Sequence, residues 1–387
     1  MNKQLENPFE YLRRRKEKDE KEGKKFDTEI VKNWYKARAF VLHKLGTFAF
    51  KADDGSHLHV IIIGDDPLML SVLRQVALTC HYINYDEENE KEEQRKRTVI
   101  TLVSPNKGNE IVNDLKKEEY LCNLLDYCKY TVFDTNPQNE DSYIDLELEI
   151  VNKPVFNPKD SNEVVLRKED IDAFCNSQTE NELYTIDTRK AQYASRMYDL
   201  GTLIENLPAE NIHDAHRYTL ALNAFQYNKL QEPLGLLINH SKWNDDQIKV
   251  KKGLSNIFCT DCFESRAKSI ELCRKDKEQK DSALWAEYNE ILCKSEHARW
   301  VVEKLIMGFR PLSKEERLVD DNLSPYTEKR KKYRNELKED PYTLAHIDLC
   351  SYKNLRRINP DDMKYDGFLL LAIPKILEKI NKNSFKK

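Results

Sequence analysis

No apolar run in this chain approaches the ~20 residues needed to cross a bilayer, and no secretory leader precedes the first charged segment. The sequence therefore predicts a cytoplasmic protein with no membrane partner. An excess of one charge is also missing. Charged residues make up 34% of the chain, yet the net charge is only −4, which gives no basic surface for direct nucleic-acid binding. A disulfide framework is missing too, since the nine cysteines are scattered and odd in number, as reduced thiols would be. Catalytic signatures are absent: no Walker loop, no HExxH, no G-x-S-x-G and no kinase set occurs. Hydrolysis or group transfer needs a nucleophile or activated water, a base and a charge stabiliser held together. With no such set legible, the catalytic residues are expected to be none. What remains is 387 residues, enough for two or three domains with real cores.

The stretch around which the rest is organised is Ser295–Phe309, SEHARWVVEKLIMGF. Helical spacing puts Glu296, Arg299, Trp300 and Glu303 on one stripe, with His297 and Lys304 beside it. Val301, Val302, Leu305 and Ile306 form an apolar face, and Gly308 stands where a helix C-terminus is expected. An Arg between two carboxylates with an indole beside it has two readings. One is a buried network that anchors the helix, with Trp300 in the core. The other is a ligand floor, in which the indole stacks a base and Arg299 and His297 hold phosphate or ribose oxygens. Between Glu296 and Glu303 the Arg keeps both carboxyls ionised, which suits binding better than proton transfer.

The segment resembles the signature of bacterial ryanodine-receptor-type (RyR) domains, E-H-x-R-W-x-x-E-[KR]-L-x-x-G-[WF], at Glu296, His297, Arg299, Trp300, Glu303, Lys304, Leu305, Gly308 and Phe309. Leu254–Leu272 upstream, and His346–Leu355, Asp366 and Ala372–Leu377 downstream, are similar to the family's flanking segments. The resemblance implies a small helical module associated with nucleotide-type ligands and with sensing. Trp285 and Tyr352 are candidates for further aromatic walls of its pocket. Two such walls with Arg and carboxylates between them would suit an adenine nucleotide.

In the N-terminal half, residues 1–35 carry the mixed-charge run Arg13–Lys25, read as a charged arm. Trp34–Phe50 reads as an amphipathic helix. His59–Gly64, HVIIIG, is a β-branched run ending in glycine, the mark of a buried parallel strand. A helix follows over Leu68–Ala77, then a strand over Thr98–Val103, a helix over Asn109–Leu125 and a strand over Tyr130–Phe133. The alternation predicts an α/β Rossmann-like parallel sheet over residues 36–160. This block resembles the TrkA-type nucleotide-binding domain. Of G-x-G-x-x-G, however, only Gly64 is present, with Asp66 and Met69 at the other glycine positions. Asp65 and Asp66 stand where a diphosphate needs bare amides, and Val103-Ser104-Pro105 lacks the ribose-binding acid. Gly64 is therefore a weak cofactor candidate, no cofactor is assigned, and the aspartates read equally well as helix caps.

Ile144–Phe156 alternates like an edge or half-exposed strand, and a boundary is expected near residue 160. Residues 161–254 read as a helical connector and 255–387 as the RyR-like, mainly helical domain. His213 and His216 share a helix face without a third metal ligand. Cys259-Thr260-Asp261-Cys262 lacks a second zinc pair, so no metal is assigned. Ser313–Asp340 is so charged that it reads as an exposed helical insertion.

These readings lead to a non-catalytic sensor that binds an adenine nucleotide, an ADP-ribose-like molecule or a cyclic nucleotide through the RyR-like domain. The resemblance places such proteins in bacterial stress or phage-defence signalling. With no effector domain visible, the output passes through a homo-oligomer or a separate effector protein. The rivals are an enzyme that processes a nucleotide or NAD metabolite in the same pocket, and an assembly module with vestigial pockets.

Overall fold

The computed structural model describes residues 28–89, 91, 94–104, 122–132, 143–153, 162–184, 186, 189–191, 193–194 and 250–384 apart from 326, 341–342 and 360–362. The run Arg13–Lys25, residues 105–121, and His213 and His216 lie outside them.

The first helix, α1, is Thr28–Leu45. Trp34, Ala37, Phe40, Val41 and Leu45 are buried, so one apolar stripe faces the core. The helix begins before the expected Trp34 and ends before Phe50, and the arm expected over 1–35 gives up its last residues to α1. The cause is packing: the Trp34 ring meets Phe258 edge-on at 5.9 Å, which ties this end of the helix to the far half of the chain.

Strand β1 (His59–Ile63) leads into helix α2 (Pro67–Thr79) and strand β2 (Thr98–Val103), as the apolar runs predict. Helix α3 (Cys122–Tyr127) is the described end of the helix expected over Asn109–Leu125, and β3 is Lys129–Val132. Two further strands, β4 (Leu146–Val151) and β5 (Glu163–Arg167), complete a five-stranded sheet of order β3-β4-β2-β1-β5. Every pairing is parallel. One face of the sheet, with Val60, Ile62, Ile100, Leu102, Leu148 and Ile150, joins α1 and α2 in the main core. The other carries the small apolar patch Ile61, Val103 and Val151. Beside that patch, His59 Nε2 lies 2.7 Å from Thr101 Oγ1, and the Thr101 hydroxyl donates to Glu149 at 2.7 Å.

Two expectations are corrected here. Of the two readings of β4 the edge is overturned, since it lies between β3 and β2, while the half-exposed reading agrees with its alternation, in which Glu149 faces the Thr101 row and Leu148 and Ile150 face the core. The boundary near residue 160 falls within the sheet's own sequence, since β5 pairs with β1 from His59↔Glu163 to Ile63↔Arg167.

After β5 come α4 (Lys168–Asn176) and α5 (Glu180–Tyr184), the described part of the expected connector. The C-terminal portion holds α6 (Val250–Asp261), α7 (Phe263–Cys273), α8 (Asp281–Glu287) and α9 (Asn289–Ile306). A short parallel pair, β6 (Arg310–Pro311) and β7 (Ala345–His346), brackets a hairpin of α10 (Lys314–Asp321) and α11 (Glu328–Glu339). Last come α12 (Tyr352–Ile358), α13 (Met363–Leu371) and α14 (Ile373–Ser384). The charged insertion is thus an α-hairpin. It is held by buried Asp320, which accepts from Arg330 Nη2 at 2.6 Å and Arg334 Nε at 2.6 Å, while Leu318 and Val319 are exposed.

The two halves share a core. Ile257, Phe258, Val301, Val302 and Leu305 belong to the same cluster as Val60 and Val72, and α9 packs on both α2 and α3. A second cluster, with Phe263, Leu284, Trp285, Leu292, Leu370 and Ile373, lies among the C-terminal helices. Among the described residues no helix is long and apolar enough to cross a membrane.

Candidate functional site

Helix α9 carries the central motif, and Gly308 ends it as its sequence predicts. Gly308, at φ 82°, donates to Leu305 O, and Phe309 N donates to Lys304 O, the bonding of a left-handed glycine cap.

The charged stripe is closed on itself. Arg299 Nε donates to Glu296 Oε2 at 2.9 Å, its Nη2 to Glu296 Oε1 at 2.8 Å and its Nη1 to Glu303 Oε2 at 2.8 Å. From α7, Arg266 Nη2 lies 2.6 Å from Glu296 Oε2, out of line for a hydrogen bond. Lys304 Nζ donates to Glu303 Oε1 at 2.5 Å and Ser255 Oγ to Glu303 Oε2 at 3.1 Å. Arg299 and Glu303 have no exposed surface. Burial works to raise the Glu296 carboxyl, but Arg299 and Arg266 outweigh it and hold it at about 2. Of the two readings of this stripe, the geometry is that of the anchoring network. Arg266 was not foreseen, because a charge at helical spacing is ordinarily solvated.

Trp300 is half-buried, stacked 6.0 Å from the His297 ring and edge-on to His346 at 5.0 Å, with Lys304 Nζ 5.5 Å over it. Trp285 is core, packed in the second cluster. Neither lines the cleft that forms between the sheet and α9.

Two of the expected site residues do. His297 and Tyr352 share a cleft with Tyr85, Glu87, Tyr143 and Lys294. These last four come from loops and a helix face that sequence reasoning passed over. Tyr85 and Glu87 follow α2, and Tyr143 precedes β4, so the cleft lies beyond the N-terminal ends of the strands, where the sheet meets α9 and α12.

Its walls are fixed by short-range bonds. His81 Nδ1 lies 2.8 Å from Asp145 Oδ1 and its Nε2 2.7 Å from Ala77 O, while Ser295 Oγ of α9 donates to His81 O at 3.2 Å. Tyr143 Oη donates to Leu349 O at 3.3 Å. His297 Nε2 donates to Cys350 O at 2.8 Å, and burial pushes the imidazole down to about 4. The ring is therefore neutral near pH 7.

Across the mouth, Glu87 accepts from Tyr352 N at 3.1 Å and Lys353 N at 2.5 Å, and Lys294 Nζ donates to Glu88 at 3.3 Å. Burial raises the Glu87 carboxyl, with the two backbone N–H groups and Lys294 opposing. One polar atom stands out. Tyr85 Oη is buried and meets no hydrogen-bond partner among the described residues. The enclosed space is about 10 Å³, room for about one water molecule.

The C-terminal ends of the strands, where a Rossmann-type dinucleotide would sit, are occupied at β1 by the protein's own side chains. Gly64 has φ 128°, and an added Cβ there would meet Met69 Cγ at 3.0 Å. Asp66 caps α2, accepting from Leu68 N at 2.9 Å and Met69 N at 3.1 Å, and Lys168 Nζ bonds its other oxygen at 2.9 Å. Asp65 accepts from Ser104 Oγ at 2.7 Å. The amides that would hold a diphosphate are thus taken by Asp66.

Cys259 and Cys262 are buried, and burial pushes the Cys262 thiol up to about 12, away from the reactive thiolate. Asp261 between them accepts from Arg38 Nε at 2.9 Å. Among the described residues no three His, Cys, Asp or Glu side chains converge as a metal site. Comparison with known proteins finds no matching family model, curated protein or solved structure.

Proposed function

We propose that the protein is a non-catalytic sensor that takes a nucleotide-derived small molecule into the cleft bounded by Tyr85, His297 and Tyr352. Occupancy of that cleft shifts the C-terminal helices against the sheet. The observation that carries this reading is the buried, unpartnered Tyr85 hydroxyl in a wall with two further tyrosines and a lysine. A buried hydroxyl without a partner costs about 1–3 kcal/mol, and a ligand bonded to it recovers that cost. The resemblance of Glu296–Phe309 to RyR domains, and of the sheet to a TrkA-type Rossmann-like domain, supports the nucleotide class and a role in bacterial stress or phage-defence signalling.

Because the enclosed space is about 10 Å³, entry has to part the Glu87 and Lys294 contacts across the mouth. These contacts join the loop after α2 to α9 and α12. Binding is thereby linked to the packing of the two halves, and through it to a homo-oligomer or a separate effector. The closed network around Arg299 serves this role as a rigid base for α9. The small enclosed volume also favours a second reading, an assembly module whose cleft takes only water.

A thermal-shift screen against ATP, ADP-ribose, cyclic ADP-ribose, NAD and cyclic di- and oligonucleotides separates the two, with recovered ligands checked for turnover. A ligand at 100 times its Kd stabilises the fold by about 2.7 kcal/mol. A shift with intact ligand, lost in Lys294→Glu, supports the sensor. Recovered product supports the enzyme, and no shift with any nucleotide supports the assembly module.

A further inference from the structure

We infer that β5, the edge strand Glu163–Arg167, pairs antiparallel with β5 of a second copy of this chain and joins the two five-stranded sheets into one. The inference rests on the sensor reading only for its purpose, since that reading calls for a homo-oligomer; the edge itself owes nothing to the cleft.

The register of the sheet fixes which backbone groups of β5 face outward. Along a strand in a parallel ladder, the peptide groups of successive residues point alternately to either side. His59 N donates to Asn162 O, and the two strands run on in register from His59↔Glu163 to Ile63↔Arg167. Val164 and Leu166 therefore bond β1, and the peptide groups of Glu163, Val165 and Arg167 point away from it. Strand β5 ends the sheet on that side, and there Val165 meets no hydrogen-bond partner among the described residues. An open strand edge is a template for another strand.

The sequence of this edge says which strand fits. EVVLR is self-complementary when reversed about Val165. Glu163 falls opposite the partner's Arg167, Arg167 opposite the partner's Glu163, and Val165 opposite the partner's Val165. The residues that meet are the same ones whose peptide groups point outward, so the register that matches charge also matches hydrogen bonds. Opposite charges directly across a strand pair stabilise it. Arg167 is exposed, and Glu163 lies 3.4 Å from His59 Nδ1, which keeps its carboxylate on that face of the sheet. The Arg167 amide already bonds Asp170 Oδ2 at 3.3 Å, so the exchange at Val165 is the centre of the contact. Pairing also extends both faces of the sheet. Val164 is half-buried at the margin of the main core, and Val165 at the margin of the patch of Ile61, Val103 and Val151. At the other edge, KYTV of β3 has no such symmetry, because reversal sets Lys129 opposite a valine.

The test is sedimentation equilibrium of the full chain, wild type against Glu163→Arg, Arg167→Glu and the double exchange. Wild type should shift from monomer to dimer as its concentration rises. Each single exchange sets like charges opposite one another at both ends of the strand pair and should weaken association about tenfold. The double exchange restores both opposite-charge pairs and should recover it. Val165→Pro removes an outward N–H that the β1 ladder does not use and should give a folded monomer. Amide exchange needs no substitution: exchange at Val165 should slow as the wild-type concentration is raised. A wild type that stays monomeric with concentration-independent exchange at Val165, single exchanges that associate as wild type does, or a double exchange no stronger than the singles overturns the inference. None of these results touches the sensor reading, because the nucleotide screen reports on the cleft whether or not the chain dimerises.

Discussion

Arg299 and Glu303, one helical turn apart on α9, meet at 2.8 Å with neither side chain exposed to water. Such a pair is weak as a source of net stability but costly to break from one side, because the remaining charge is buried alone. Glu303→Ala should therefore destabilise the fold by about 3–5 kcal/mol. Urea unfolding measures it, and a loss below ~1 kcal/mol, the range of an exposed pair, would show that the network is solvated.

Asp66 should behave as a helix cap. Asp66→Ala removes the acceptor for Leu68 N and Met69 N and should cost about 0.5–2 kcal/mol. Lys168→Ala, which removes only a half-exposed partner, should cost less than about 1 kcal/mol. Equal losses in urea titrations would mean that the ion pair, not the cap, holds the turn.

His297 gives the fold a pH dependence of known sign. Its imidazole titrates at about 4 in the folded chain against 6.5 ordinarily. Between these values the unfolded chain binds the extra proton, so stability falls as pH drops from 6.5 toward 4. The loss is on the order of 3 kcal/mol. Glu296, the nearest charged group, is held at about 2 and adds its own loss only below the usual carboxylate range. His297→Gln retains a donor for Cys350 O and should flatten the upper window. Equal declines in wild type and variant between pH 7 and pH 4.5 would contradict this.

Glu87 should act as the fastening of the cleft. Removing its carboxylate in Glu87→Ala frees Tyr352 N and Lys353 N. Amide exchange at these two positions should accelerate, while the amides of α9 keep their protection. Unchanged exchange at Tyr352 and Lys353 would show that another contact closes the mouth.

The alternation of short β-branched runs with helical spacing made β1, α2 and β2 readable from the sequence, and Gly308 marked the end of α9. Position within the sheet was less readable. Strand β4 carries Glu147 and Glu149 on one face, a pattern that local alternation assigns to an edge or half-exposed strand, and the Thr101–Glu149 bond together with the Lys129–Glu147 pair at 3.5 Å explains charge on an interior strand. The stripe on α9 was seen, but its partner Arg266 comes from another helix, and no local pattern marks a charge for burial. The cleft was legible only in His297 and Tyr352. Tyr85, Glu87, Tyr143 and Lys294 reach it from separate parts of the chain, and their convergence depends on how α9 and α12 pack on the sheet.

Hydrogen exchange of the full chain with and without saturating ADP-ribose tests most directly where a nucleotide enters. Protection should concentrate at residues 85–88, 143–144 and 349–353, which line the cleft and its mouth. Protection confined to Gly64–Met69 at the start of α2, or none at saturation, would contradict the assignment of this cleft as the sensing site.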